Sequence, residues 1–241
     1  MTRRAFTLID TLIVIAIVSL LITLLLPAIA SARSAARDMV SLSNIRSHAA
    51  IFQMYAGDAN DFLPCITRPD VDLTVIRGCG GWGYSSYFGA TQVWPIPLAD
   101  SYYSGRCQGE EFIHPARHDD ILIDYILSSS IIADPPYWNL TTRTGPEQWG
   151  GQRLSSVTFP SAKAVLTESH PEHGLPSRVG VSNRPWAIGL GLADGSAGRW
   201  KPDLLVPPIS SGEGAFPGIM YGRGVYGLHT PDGVRGRDVL R

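Results

Sequence analysis

Three clusters of side chains in this 241-residue sequence have types and spacing that could do chemistry. His114, His118, Asp119 and Asp120 bring nitrogen and oxygen donors close together, and so do Glu168, His170, Glu172 and His173, as a transition-metal site would need. Neither set has zincin spacing: HExxH is absent, and histidines in polar loops are ordinarily solvated, so no transition metal and no cofactor is expected. Asp58, Asn60 and Asp61 could offer oxygens to calcium, a hard cation that accepts carboxylates and amides from a flexible loop. The EF-hand spacing is missing, and an Asx-rich turn ending a helix accounts for the same residues.

Two near-matches to enzyme motifs also fail. Asp194-Gly195-Ser196-Ala197-Gly198 lacks the first glycine of a nucleophile elbow and falls in a hairpin pattern, not between a strand and a helix. Gly189-Leu190-Gly191-Leu192-Ala193-Asp194 lacks the third glycine of a dinucleotide loop, and no helix follows. Ser196 reads as a turn residue, and Gly189 and Gly191 as glycines that permit close packing or twist in a strand. No catalytic residue emerges, and an enzyme is not expected. Cys65, Cys79 and Cys107 are too few for a disulfide scaffold and form no CxxC pair. One disulfide would suit an exported chain; Cys65 with Cys79 closes the shortest loop, but all three pairings stay open. The formal net charge is −1, and no Lys/Arg run is dense enough to track a phosphate backbone, so nucleic acid is a poor partner.

The elements that carry these residues begin with a membrane segment. Thr11 to Ala30 is a run of 20 residues without a charge. As a helix it reaches ~30 Å, about one hydrocarbon core. Arg3 and Arg4 precede it, and the positive-inside bias keeps that flank cytoplasmic and the rest of the chain outside. Asp10, at the start of the run, has two readings. It snorkels to water at the headgroup level, or it has a cationic partner, such as the new α-amino group that cleavage before Phe6 would create on a neighbouring subunit. Pro27 removes a helical hydrogen bond and predicts a bend or loosening near Thr23.

Arg3-Arg4-Ala5-Phe6-Thr7-Leu8-Ile9-Asp10, followed by the apolar run and Pro27, resembles the prepilin cleavage and methylation motif of type IV pilins and type II secretion pseudopilins. The resemblance implies a prepilin peptidase that cuts between Ala5 and Phe6 and methylates the new amine, and assembly through Phe6, Asp10 and Pro27 with other pilin-like subunits. Two departures stand out. Ala5 takes the place of the usual glycine, and Asp10 takes the place of the usual glutamate, with a shorter reach. The implied organisation is a leader (1–5), an N-terminal helix (6–56, transmembrane over 11–30) and an extracytoplasmic head (57–241) in the cytoplasmic membrane or, after assembly, on a filament.

Beyond the membrane, Ala35, Met39, Leu42, Ile45, Ala49 and Phe52 recur at helical spacing, with Arg37, Asn44 and His48 on the other side. This helix is expected to pack on the chain's own head and end near Tyr55, stopped by Gly57. Met54 to Pro64, with later landmarks at Leu122 to Leu127 and Ala193 to Ser196, resembles pilin-like proteins that carry the DUF1559 domain. Arg184 stands where that group often has a histidine. In the head, Lys163 to Thr167 and Trp186 to Leu192 read as strands, Asp194-Gly195 as a hairpin turn and Ala197 to Trp200 as the return strand. Asp119 to Leu127 reads as a short helix, and the remainder, including the tail from Pro202, as loops. The fold class is therefore α+β, a small antiparallel sheet packed on a long helix.

Two other fates fit parts of the sequence. Ala30-Ser31-Ala32 is an AxA-like site, so cleavage after Ala32 would release a secreted enzyme or binding protein. The apolar run exceeds a usual signal h-region, and the cut would fall where the amphipathic helix starts. A permanently anchored single-pass binding protein differs from a pilin only in keeping residues 1–5.

Overall fold

The computed structural model describes residues 8–65, 67, 74–78, 81–85, 87–115, 123–168, 187–210 and 226–240, with backbone alone for 74–78, 81–85 and 90. The chain divides into two compact units, Met1–Met39 and Val40–Arg241. Helix α1 (Leu8–Asp58) contributes to both. Leucine and alanine give α1 strong helix propensity. In the first unit its apolar side chains are exposed all round, from Leu8 to Ile29. Among the described residues this is the helix long and apolar enough to cross a membrane.

In the second unit α1 becomes one-sided. Ser41, Ile45, His48, Ala49, Phe52 and Ala56 are buried at steps of four, three, one, three and four. This stripe differs from the one expected: Ala35 and Met39 are exposed, Met39 by 73%, while His48 is 1% exposed. The polar members are admitted because partners distant in sequence satisfy them, which local periodicity does not reveal. The helix also runs past Tyr55 to Asp58, and Gly57 is an exposed interior position, not the stop. The chain turns instead at Asn60 and Asp61, with φ of 53° and 71°, a left-handed conformation that Asn and Asp tolerate better than most residues. At Pro27 the helix is unbroken, where a loosened turn was expected.

A four-stranded antiparallel sheet completes the α+β head, in the order β3 (Tyr125–Leu127), β4 (Ala164–Glu168), β5 (Ile188–Leu192), β6 (Ala197–Trp200). A two-stranded hairpin, β1 (Thr74–Gly78) and β2 (Gly81–Ser85), precedes it in the chain. Tyr125–Leu127 was expected at the end of a helix; it pairs with β4 as a strand, Tyr125 opposite Glu168 and Leu127 opposite Leu166. Residues 119–122 of that expected helix lie outside the described residues. The β5–β6 hairpin turns at Gly195, whose φ is +83°, and both the backbone N–H and the hydroxyl of Ser196 donate to Asp194 Oδ1, at 2.9 and 2.6 Å. Much of the remainder consists of short 3-10 turns, and the tail is tied back by the Leu205–Val239 bridge.

Alternation along β5 sets how the helix meets the sheet. Gly189 and Gly191 face α1: a Cβ on Gly191 would sit 2.9 Å from Ile45 Cγ2, and one on Gly189 2.9 Å from Glu168 Oε2. Leu190 and Leu192 point into a second, smaller core with Ala162, Ala164, Leu205 and Val239. The larger core surrounds Phe52, Trp94, Phe112, Leu127 and Trp138. Phe52 meets Trp94 edge to face at 5.1 Å, and Trp94 Nε1 donates to the Tyr125 carbonyl at 2.7 Å.

Candidate functional site

The two features with functional geometry are the N-terminal part of α1 and a buried carboxylate where α1 meets the sheet. In the first, Asp10 stands in the first turn of α1, where a negative charge complements the helix dipole. Pro27 lies inside the helix, and one turn earlier the Thr23 hydroxyl donates to the Ser19 carbonyl at 2.8 Å. Ala5 and Phe6 lie outside the described residues.

The buried carboxylate is Glu168, at the end of β4. Ser41 on α1 donates to Oε1 at 2.7 Å, and the Gly189 N–H donates to Oε2 at 3.2 Å. Arg199 Nη2, from β6, lies 2.9 Å from both oxygens, and His114 Nε2 lies 3.2 Å from Oε1. The Tyr125 hydroxyl in turn donates to Ser41 Oγ at 3.1 Å. His114 is held from its own backbone, whose N–H donates to Asp124 at 2.9 Å. One carboxylate thus gathers α1, β5, β6 and the loop before β3. Charge-assisted hydrogen bonds of this kind are about twice as strong as neutral ones. Ser41, Gly189, Arg199 and His114 thus surround the Glu168 carboxylate. The arrangement fastens the helix to the sheet.

Of each histidine cluster the structure describes one member, and these two are in contact. His114 and Glu168 meet, whereas His118, Asp119, Asp120, His170, Glu172 and His173 lie outside the described residues. Among the described residues no group of three or more His, Cys, Asp or Glu side chains is arranged to hold a metal ion. The calcium candidates have protein partners. Asp58 accepts from the Tyr102 hydroxyl at 2.7 Å, which pushes that phenol's pKa up to about 12. Asp61 Oδ2 accepts from the Ser155 hydroxyl and, at 3.2 Å, from its N–H, and the Asn60 carbonyl accepts from Arg153 at 2.5 Å. These contacts close the helix exit against the segment around Arg153. Cys65 carries a free thiol that burial pushes above its ordinary pKa, while Cys107 is disulfide-bonded, so both pairings that use Cys65 are ruled out.

His48 also has a defined chemical state. Its Nε2 lies 2.7 Å from the Glu111 carbonyl, which can only accept, so that nitrogen carries the proton. Nδ1 then accepts from the Tyr103 hydroxyl at 2.8 Å. Burial among Trp94, Phe112 and Tyr125 lowers the pKa to about 4, and the ring is neutral at pH 7.

No protein-family model, curated protein or solved structure matches this chain. What the chain does is therefore read from its own residues. Sequence reasoning missed Ser41 and Arg199 as partners of Glu168, and Tyr125 as the donor to Ser41. A signal was present in Arg199, a charge placed inside a strand whose neighbours are small or apolar. The partnership itself arises from strand order, which brings residues 41, 114, 168 and 199 together.

Proposed function

We propose that this chain is a type IV pilin-like or pseudopilin subunit, a structural component of a filament and not an enzyme. The observation that carries the proposal is the position of the Arg3-to-Asp10 motif at the head of a 51-residue helix, apolar all round at first and then built by one face into an α+β head. In this reading prepilin peptidase cuts between Ala5 and Phe6 and methylates Phe6. The helix holds the subunit in the cytoplasmic membrane with the head outside, and Asp10 neutralises the Phe6 amine of a neighbouring subunit when helices bundle. A disulfide at Cys107 fits an oxidising, extracytoplasmic compartment. The likeness to the DUF1559 group adds a proposed subgroup.

The alternative cut after Ala32 would sever α1 within its continuous run. Mass spectrometry of the mature N-terminus, on membrane and extracellular fractions from cells with their own peptidases, separates the fates. A methylated Phe6 is the expected result. An N-terminus at Arg33 would mean a secreted protein, and an intact Met1 a permanent anchor; either outcome removes the filament reading.

A further inference from the structure

The second buried ionic group, away from Glu168, joins the start of β4 to the C-terminal segment. Lys163 is 0% exposed, and its Nζ lies 2.9 Å from Asp238 Oδ2, itself on a residue 3% exposed. The Ala164 N–H donates to the same oxygen at 2.8 Å. The Thr230 hydroxyl accepts from Lys163 and donates to Asp238 Oδ1 at 2.6 Å, with the buried Ser130 and Ser128 hydroxyls beyond it. The sequence neighbours Ala162, Ala164 and Val239 belong to the smaller apolar core. An amine and a carboxyl group are thus held in contact, out of water, with two hydrogen-bond donors already on the carboxyl oxygens.

We propose that Lys163 and Asp238 condense into an intramolecular isopeptide bond that staples the C-terminal segment to the start of β4. The geometry supplies what such a step needs. Holding the reactants at contact distance removes the entropic cost of bringing amine and carboxyl group together. Burial disfavours the ammonium form of Lys163, and in the proposed step its proton passes to Oδ2 before the attack. The Nζ lone pair attacks Cγ. Negative charge builds on Oδ1, where the Thr230 hydroxyl is already placed to stabilise it. The Cγ–Oδ2 bond then breaks, and Oδ2, taking a second proton from the nitrogen, leaves as water. Ammonium plus carboxylate become amide plus water, with no oxidant, cofactor or activated intermediate. The product also removes a buried charge pair, whose desolvation cost is large.

The test uses the folded full-length protein, denatured and digested with trypsin. An acylated Lys163 resists cleavage, so the expected product is a branched peptide joining residues 154–178 to residues 238–241. Its mass should be lower by one water, about 18 Da, than the sum of the two. Cleavage after Lys163, with residues 238–241 released at full mass, would overturn the proposal and leave an ion pair. A Lys163→Arg control keeps the positive charge but has no amine to acylate, and residues 238–241 should then be released as a free peptide. The outcome does not depend on whether the subunit enters a filament.

Discussion

The two parts of α1 belong to one continuous helix, yet they treat apolar side chains in opposite ways. From Leu8 to Ile29 the large apolar residues are exposed on every side, with no face reserved for the protein's own core. From Ser41 to Ala56 one stripe is buried and the outward positions include Arg46, Ser47 and Ala50. A helix hydrophobic all round suits an apolar surrounding, whereas a striped helix suits a single packed face. The difference teaches that one continuous helix can serve two environments, with the change near the boundary between the two compact units. The first part buries none of its large apolar side chains among the described residues, whereas the second packs against the sheet and the surrounding loops.

Substitutions in either part can break that contrast. Phe52→Ala, in the striped part, should cost about 3–5 kcal/mol. Denaturant unfolding of the detergent-solubilised protein would show it, and membrane retention should be unchanged. Leu21→Arg, in the uniform part, should do the reverse, costing about 2.5–3.5 kcal/mol of insertion free energy at mid-membrane. The check is loss of the protein from the carbonate-washed membrane fraction, with the unfolding transition of the head intact. If Leu21→Arg instead lowered head stability as much as Phe52→Ala, the separation of roles would be wrong.

The striped part also predicts a pH dependence. His48 titrates near its ordinary 6.5 when unfolded and at about 4 when folded. Between these values the unfolded chain binds the extra proton, so its contribution is fully present above pH 6.5 and is lost as pH falls toward 4, by roughly 3 kcal/mol in all. Unfolding midpoints across that range should drop for the native protein and drop less for His48→Gln. The smallest expected effect is at the glycine contact. Gly191→Ala places a methyl 2.9 Å from Ile45 Cγ2 and should cost about 1–3 kcal/mol. Combining it with Ile45→Val tests whether the clash is the cause, because the double variant should recover part of the loss.

Much of the local structure was legible. The β5–β6 hairpin follows from Asp194-Gly195, because a turn requiring positive φ falls on glycine and the Asp side chain caps it. The strand at residues 164–168 and the apolar run at the start of α1 follow from composition over a few residues. Tyr125–Leu127 was misread because a short apolar run has no period of its own, and only pairing with β4 makes it a strand. The rotation of the α1 stripe was misread for a related reason. His48 looks polar in sequence, and its place inside depends on Glu111 and Tyr103, more than fifty residues away. The Glu168 cluster was half-seen, since sequence proximity brought out His170, which lies outside the described residues, and not His114 and Arg199, which the sheet places against it.

The sequence by itself determined the membrane-length apolar segment and the α+β class, because each depends on composition or spacing within a short window. Tertiary structure alone decided which polar residues are buried and with what partners: Ser41 with Glu168, His48 with Glu111, and Lys163 with Asp238. The physical reason is that a buried polar group is tolerated only when distant donors and acceptors converge on it. That convergence is set by strand order and helix rotation, which no local pattern encodes.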